Sequence, residues 1–337
     1  MEGTGMPGEL AEEAGENSMC GEILKAAEEI NASERMLKAA EETDISEGLV
    51  ETAAETDEAV VLQGADFTYM FDKRSGLFSR ICCKGREYLN RPMELNIWRA
   101  PTDNDRYIKQ EWKRARYDKA CTRAYRTCVS RDVDSNSIRI TCTMSIAAPS
   151  VQPMMEVQAV WVVCGSGRIH VTFQVRRNLE FPALPRFGLR LFLDEALSQV
   201  AYYGMGPFES YGDKHRASTH GKYQAPVTAL HEDYIRPQEN GSHTDCDYVV
   251  LSGRGCGLAA ASEEPFSFNA SIYTQEELEQ KKHNYELEPS GSTILCLDYA
   301  QNGIGSNSCG PELLEKYRFD EETFRFTMTL LPFAGHS

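Results

Sequence analysis

Aromatic residues are missing from the first 58 positions of this 337-residue chain, although 9% of the whole sequence is aromatic. Within its run of helix formers, Ile23–Glu42, only Ile23, Leu24, Ile30, Met36 and Leu37 could bury much surface, too little for a core of its own. Basic charge is scarce there as well. Residues 1–60 hold 17 Asp+Glu against 3 Lys+Arg, and the remainder holds 34 against 32, so −14 of the net charge of −16 belongs to the N-terminal segment. The absence of a basic stripe excludes nucleic acid as a partner. The absence of any run of 18 apolar residues excludes a membrane-spanning helix. No positively charged start leads into an apolar core, so a secretory signal is not expected. The eleven cysteines show no CxxC and no Cys/His cluster with zinc-finger spacing. Most lie in strand-like runs such as Ile-Thr-Cys-Thr-Met and Ile-Leu-Cys-Leu, where a thiol acts as a small hydrophobe. A reducing cytoplasm is the expected compartment.

What is present divides the chain near residue 58. Residues 1–58 repeat Leu-Lys-Ala-Ala-Glu-Glu at Leu24–Glu29 and Leu37–Glu42, a string of strong helix formers in a solvated acidic context. The reading is an acidic linker with a marginal helix or disorder. From Ala59 to residue 337, short apolar or alternating runs dominate: Ala59–Leu62, Phe67–Phe71, Leu77–Cys83, Met93–Trp98, Cys121–Arg131, Ser137–Ala147, Met154–Cys164, Arg168–Arg177 and Arg186–Asp194. Gly165-Ser-Gly splits two β-branched alternating runs into a clear hairpin. Strands are expected again at Asp247–Leu251, Leu258–Ala261, Phe266–Tyr273, Thr293–Tyr299 and Thr323–Leu331, with loops from Tyr203 to Gly241. Helices are expected at Ile108–Ala120, packed by Trp112, and at Thr274–Lys282, capped by Thr274. Many short strands without βαβ alternation predict an all-β fold, a large antiparallel sandwich.

Four polar, turn-rich stretches stand out. The organising one is Leu95–Asp105, in which Arg99 and Trp98 precede Pro101, and Thr102, Asp103, Asn104 and Asp105 form turns and caps. The others are Tyr203-Gly-Met-Gly-Pro-Phe-Glu-Ser-Tyr-Gly-Asp-Lys, with Glu209; Tyr234-Ile-Arg-Pro-Gln-Glu-Asn-Gly, with Glu239 and Asn240; and Asn302-Gly-Ile-Gly-Ser-Asn-Ser-Cys-Gly-Pro, with Cys309. Each alone fits a purely structural role as well as a ligand edge. His170 alternates with apolar neighbours and reads as a packed strand residue.

Together, in this order, the four stretches resemble the C-terminal (fifth) domain of lac-type β-galactosidases in glycoside hydrolase family two. That domain also occurs as a separate small chain. The resemblance covers roughly Val60–Phe333. It implies a supersandwich similar to galactose mutarotases, lending one wall to the site where terminal β-D-galactosides such as lactose are hydrolysed. It also implies that Arg99, Asp103, Asn104, Asp105, Glu209, Glu239, Asn240 and Cys309 border the sugar, with none of them catalytic. Cys309 stands where some members carry a Trp that stacks on the acceptor sugar, and Arg106-Tyr107 stand where other members carry Gly. Retaining hydrolysis needs two carboxyl groups about 5–5.5 Å apart, which the family places in a (β/α)₈ barrel of about 250 residues. Residues 1–60 have no room for one. The expected partner is therefore a large barrel-bearing β-galactosidase subunit, in an oligomer. By resemblance Mg²⁺ and Na⁺ are expected in that barrel, and no cofactor in this chain. A stand-alone carbohydrate-binding module and an aldose-epimerase-like enzyme using Glu209 or Glu239 with a His are the alternatives.

Overall fold

The computed structural model describes residues 50–133 and 135–334. The acidic linker expected for residues 1–58 therefore lies, up to residue 49, outside the described residues. Its last part does not: β1 (Glu51–Glu55) pairs antiparallel with β2 (Ala59–Gln63). Val50, just before it, is fully buried. Then come β3 (Phe67–Asp72), β4 (Leu77–Cys83) and β5 (Arg86–Glu87), and β1 to β5 form one five-stranded antiparallel sheet in chain order. Gly76 closes the β3–β4 turn with φ +74°, a conformation cheap only for glycine.

The other strands form one large antiparallel sheet: β6 (Leu89–Asn96), β7 (Cys121–Asp132), β8 (Ser137–Ala147), β9 (Met155–Cys164), β10 (Ile169–Arg177), β11 (Arg186–Asp194), β12 (Gln199–Gly206), β13 (Thr219–Pro226), β14 (Ser242–Gly253), β15 (Cys256–Ser271), β16 (Ser292–Gln301) and β17 (Thr323–Ala334). The expected hairpin is β9–β10, with Val163 opposite Ile169. Alternation along β9 sends Val157, Ala159, Trp161 and Val163 into the core and leaves Glu156 and Gln158 outside. Trp161 joins the two sheets. Its ring meets Phe78 and Phe71 of the small sheet edge-on, with centroids 5.1 and 6.1 Å away, and Phe173 of the large sheet at 5.5 Å. Its indole N–H donates to the Gly76 carbonyl at 3.2 Å.

Two segments expected as separate strands, Leu258–Ala261 and Phe266–Tyr273, are one strand, β15. Its first half pairs with β17 and its second with β16, while β14 follows both through register shifts near Cys246. A long strand that changes partners at an irregularity turns a corner between layers. This carries the chain onto β16 and β11, which are buried almost throughout.

Two differences from the sequence reading have local causes. The stretch expected as loop after Tyr203 contains the end of β12 and all of β13. β13 is an edge strand of polar residues, Thr-His-Gly-Lys-Tyr-Gln-Ala-Pro, so it lacks the apolar alternation that marks a strand. The first helix, α1 (Ile108–Ala115), stops five residues early because Arg116 adopts φ +61°; Tyr117–Lys119 is a separate 3₁₀ turn. Trp112 is buried as expected, donating to the Ala183 carbonyl at 2.8 Å. The second helix, α2 (Gln275–Gln280), starts at Thr274, whose hydroxyl accepts from the Glu277 N–H at 3.1 Å. No helix among the described residues is long and apolar enough to cross a membrane.

Candidate functional site

The organising loop leaves the end of β6 and is folded by its own polar side chains. Thr102 and Asp105 form a reciprocal cap: the Asp105 carboxylate accepts from the Thr102 N–H at 2.9 Å, and the Thr102 hydroxyl accepts from the Asp105 N–H at 3.3 Å. Arg99 is wholly buried and charged, so its guanidinium must be satisfied internally. It donates to Asp105 at 2.8 Å, to the Gly303 carbonyl at 3.1 Å and to the Asn302 carbonyl. The first loop is thereby fastened to the fourth. Asn104 adds to this, donating to the Gly305 carbonyl at 2.7 Å and accepting from the Ser308 N–H at 3.1 Å.

The second and third loops join the same cluster. Asp213 accepts from the N–H groups of Ile304 and Gly305 at 2.8 and 2.7 Å. Glu209 accepts from the Gly241 N–H at 2.8 Å and is also bonded by Lys214 and Tyr234. The Glu239 N–H donates to the Ala100 carbonyl at 3.0 Å, and Gln238 accepts from the Asp103 N–H at 3.0 Å. Asn240 is spent within its own loop, accepting from the Glu232 N–H and donating to the Gln238 carbonyl. Four segments spread over two hundred residues of sequence thus form one cross-bonded surface.

Beneath it lies a buried ion cluster that the sequence reading did not single out. Arg186 of β11 grips Asp298 of β16 with two N–H groups and gives a third to Glu239 at 3.2 Å; all three residues are buried. Burial raises the carboxyl pKa of both Glu239 and Asp298, and the Arg186 guanidinium opposes that rise. For Arg186 the balance runs the other way: burial disfavours its charge, but Asp298 and Glu239 hold its pKa well above the ordinary value. The signal available in the sequence was Arg186 at the head of one apolar strand run and Asp298 within another, where an unpaired charge is costly to bury.

Burial sorts the eight expected border residues. Arg99, Asp105, Glu209, Glu239 and Asn240 are buried and engaged by protein groups, so they shape the surface from behind. Asp103 and Cys309 are exposed, and Asn104 is half-buried. Lys214 and Tyr234, neither anticipated, reach the surface beside Glu209. His170 sits half-buried in β10, its Nδ1 3.0 Å from the Thr329 hydroxyl. Next to the first and fourth loops runs a cleft of about 550 Å³, walled by Tyr107, Ile108, Phe181 and Leu313 with Asn307 and Glu312. Among the described residues no group of three or more His, Cys, Asp or Glu side chains could hold a metal ion.

Residues 63–330 match the family model described as "Beta galactosidase small chain". A β-galactosidase from Actinobacillus pleuropneumoniae is 42% identical over 270 residues, 80% of this chain and 26% of that protein. One from Staphylococcus xylosus is 38% identical over 269 residues, 79% of this chain and 27% of that protein. The chain therefore spans about a quarter of the length of these relatives. Among solved structures, a galactose 1-epimerase from Lactobacillus acidophilus NCFM aligns with 86% of this chain and 99% of its own at 12% identity, with a TM-score of 0.44.

Proposed function

Because the chain belongs to the β-galactosidase small-chain family, we propose that it forms one wall of a galactoside-hydrolysing site whose two catalytic carboxyl groups lie on a barrel-bearing partner chain or domain. The observation that carries this reading is the clamping of four loops into one surface by Arg99, Asp105, Asp213 and Glu209. A rigid wall orients a sugar without moving when the sugar arrives. The buried carboxylates of that wall are poor candidates for the chemistry. Glu239 is buried against Arg186, and Glu209 is held by Lys214, Tyr234 and a backbone N–H, so both are engaged in the protein's own contacts. On this reading the exposed or half-buried groups Asp103, Asn104, Lys214 and Tyr234 meet the hydroxyls of a terminal β-D-galactoside such as lactose. Mg²⁺ and Na⁺ belong, on this reading, to the barrel. The ten cysteines of the described residues are all free thiols, which fits a cytoplasmic setting.

The test is complementation. The purified chain is titrated into a barrel-bearing chain that lacks this domain, and release of nitrophenol from a chromogenic β-galactoside is followed. Activity that saturates as the small chain is added supports the proposal. Hydrolysis unaffected by the small chain refutes it.

A further inference from the structure

We propose that the cleft between α1 and the loops carrying Pro101 and Pro237 binds an oxyanion, the phosphate group of a small phosphorylated sugar. The cleft has a volume of about 570 Å³ and shares no lining residue with the Tyr107 cleft. Four cations line it: Lys109, Lys113 and Arg114 from α1, and Arg236 from the third loop. Only Lys113 is neutralised within the protein, by Glu279 and by Asp118 at 3.1 Å. Glu279 is the one carboxylate of the lining, and it is already shared between Lys113 and the Trp98 indole N–H, 3.1 Å away. Lys109, Arg114 and Arg236 make no side-chain hydrogen bond or ion pair among the described residues.

This arrangement is unusual within this molecule. After residue 60 the chain is nearly neutral, and its other clustered arginines, Arg99, Arg186 and Arg190, each face carboxylates. Three unpaired cations converging from two elements repel one another, and a bound anion relieves that repulsion. Two guanidinium groups present planar forks that match phosphate oxygens, and a lysine adds a point charge. The volume falls within the usual range for small-molecule sites, leaving room for more than the phosphate itself. Gln110 offers an amide to hydroxyl groups, while Pro101 and Pro237 give apolar walls to ring carbons.

Calorimetric titration of the full chain tests the assignment, with galactose 6-phosphate, inorganic phosphate and galactose as probes. Saturable binding of galactose 6-phosphate is expected. It should weaken about tenfold or more in Arg114→Ala and in Arg236→Ala, and fall as KCl rises, because the contacts are charge-assisted. Both side chains are exposed, so circular dichroism should show the fold unchanged. Inorganic phosphate binding with the same dependence on the two arginines, at equal affinity, would assign free phosphate as the source of the oxyanion. The proposal is overturned if neither phosphate probe binds saturably, if galactose binds as tightly as its phosphate, or if a Lys109→Ala, Arg114→Ala, Arg236→Ala triple variant binds unchanged. Binding confined to an acidic peptide such as oligoglutamate would also overturn it, by making the cleft a protein-docking surface.

Discussion

At the scale of single residues, the decisive feature is that most of the charge near the loop surface is spent inside the protein. Arg186 compensates two buried carboxylates, so removing it strands both. Arg186→Met is expected to destabilise the fold by about 3–5 kcal/mol, measured by urea denaturation at neutral pH; an unchanged midpoint would show that the cluster is not coupled to folding. His243 makes a different prediction. It is buried with its Nδ1 3.0 Å from the Met205 carbonyl, and burial lowers its pKa to about 4 from the usual 6.5. Between those two values the unfolded chain binds a proton that the native chain refuses. Stability therefore falls as pH drops from about 6.5 towards 4, by at most about 1.4 kcal/mol per pH unit from this residue. His243→Gln should reduce that slope. His170 and His231, also lowered by burial, keep part of it. Cys309 lies exposed on the fourth loop. If it faces an acceptor sugar in the completed enzyme, Cys309→Trp should tighten glucose binding there by about 1 kcal/mol, read from acceptor-dependent transglycosylation.

At the scale of elements, close backbone approach fixes how strands meet beneath the loops. Gly188 lies at the irregularity between β11 and β16, and a Cβ there would sit 2.2 Å from the Leu297 carbonyl oxygen and 2.4 Å from the Asp298 carboxylate. Gly188→Ala must push the strands apart and disturb the grip of Arg186 on Asp298. A loss of about 1–3 kcal/mol is expected, with thermal unfolding as the measurement. Elements of this kind differ in how plainly the sequence announces them. Ser137–Ala147 and Arg186–Asp194 have the bounds their composition suggests, because apolar and β-branched side chains must be buried on at least one face. β13 was hidden because an edge strand keeps polar residues on both faces. The unity of β15 was hidden because its Ser-Glu-Glu-Pro interruption marks a corner, not an end. In the site, the turn chemistry of Thr102 and Asp105 was legible from local spacing. The fastening of Arg99 to the carbonyls of Asn302 and Gly303 was not, since any residue type offers a carbonyl and only the fold brings that one near.

At the scale of the whole molecule, two packed antiparallel sheets hold four distant loops as one polar surface, and the matched segment is about a quarter of the relatives' length. On the proposed function this surface supplies shape, and bond cleavage belongs to another part of the assembled enzyme. A 2-deoxy-2-fluoro-β-galactoside with a good leaving group traps the covalent intermediate of a retaining glycosidase on its nucleophile. Applied to the complemented complex and followed by peptide mass spectrometry, the account predicts a fluorogalactosyl adduct on a glutamate of the barrel-bearing partner and none on this chain. An adduct on Glu209, Glu239 or any other residue of this chain would contradict it.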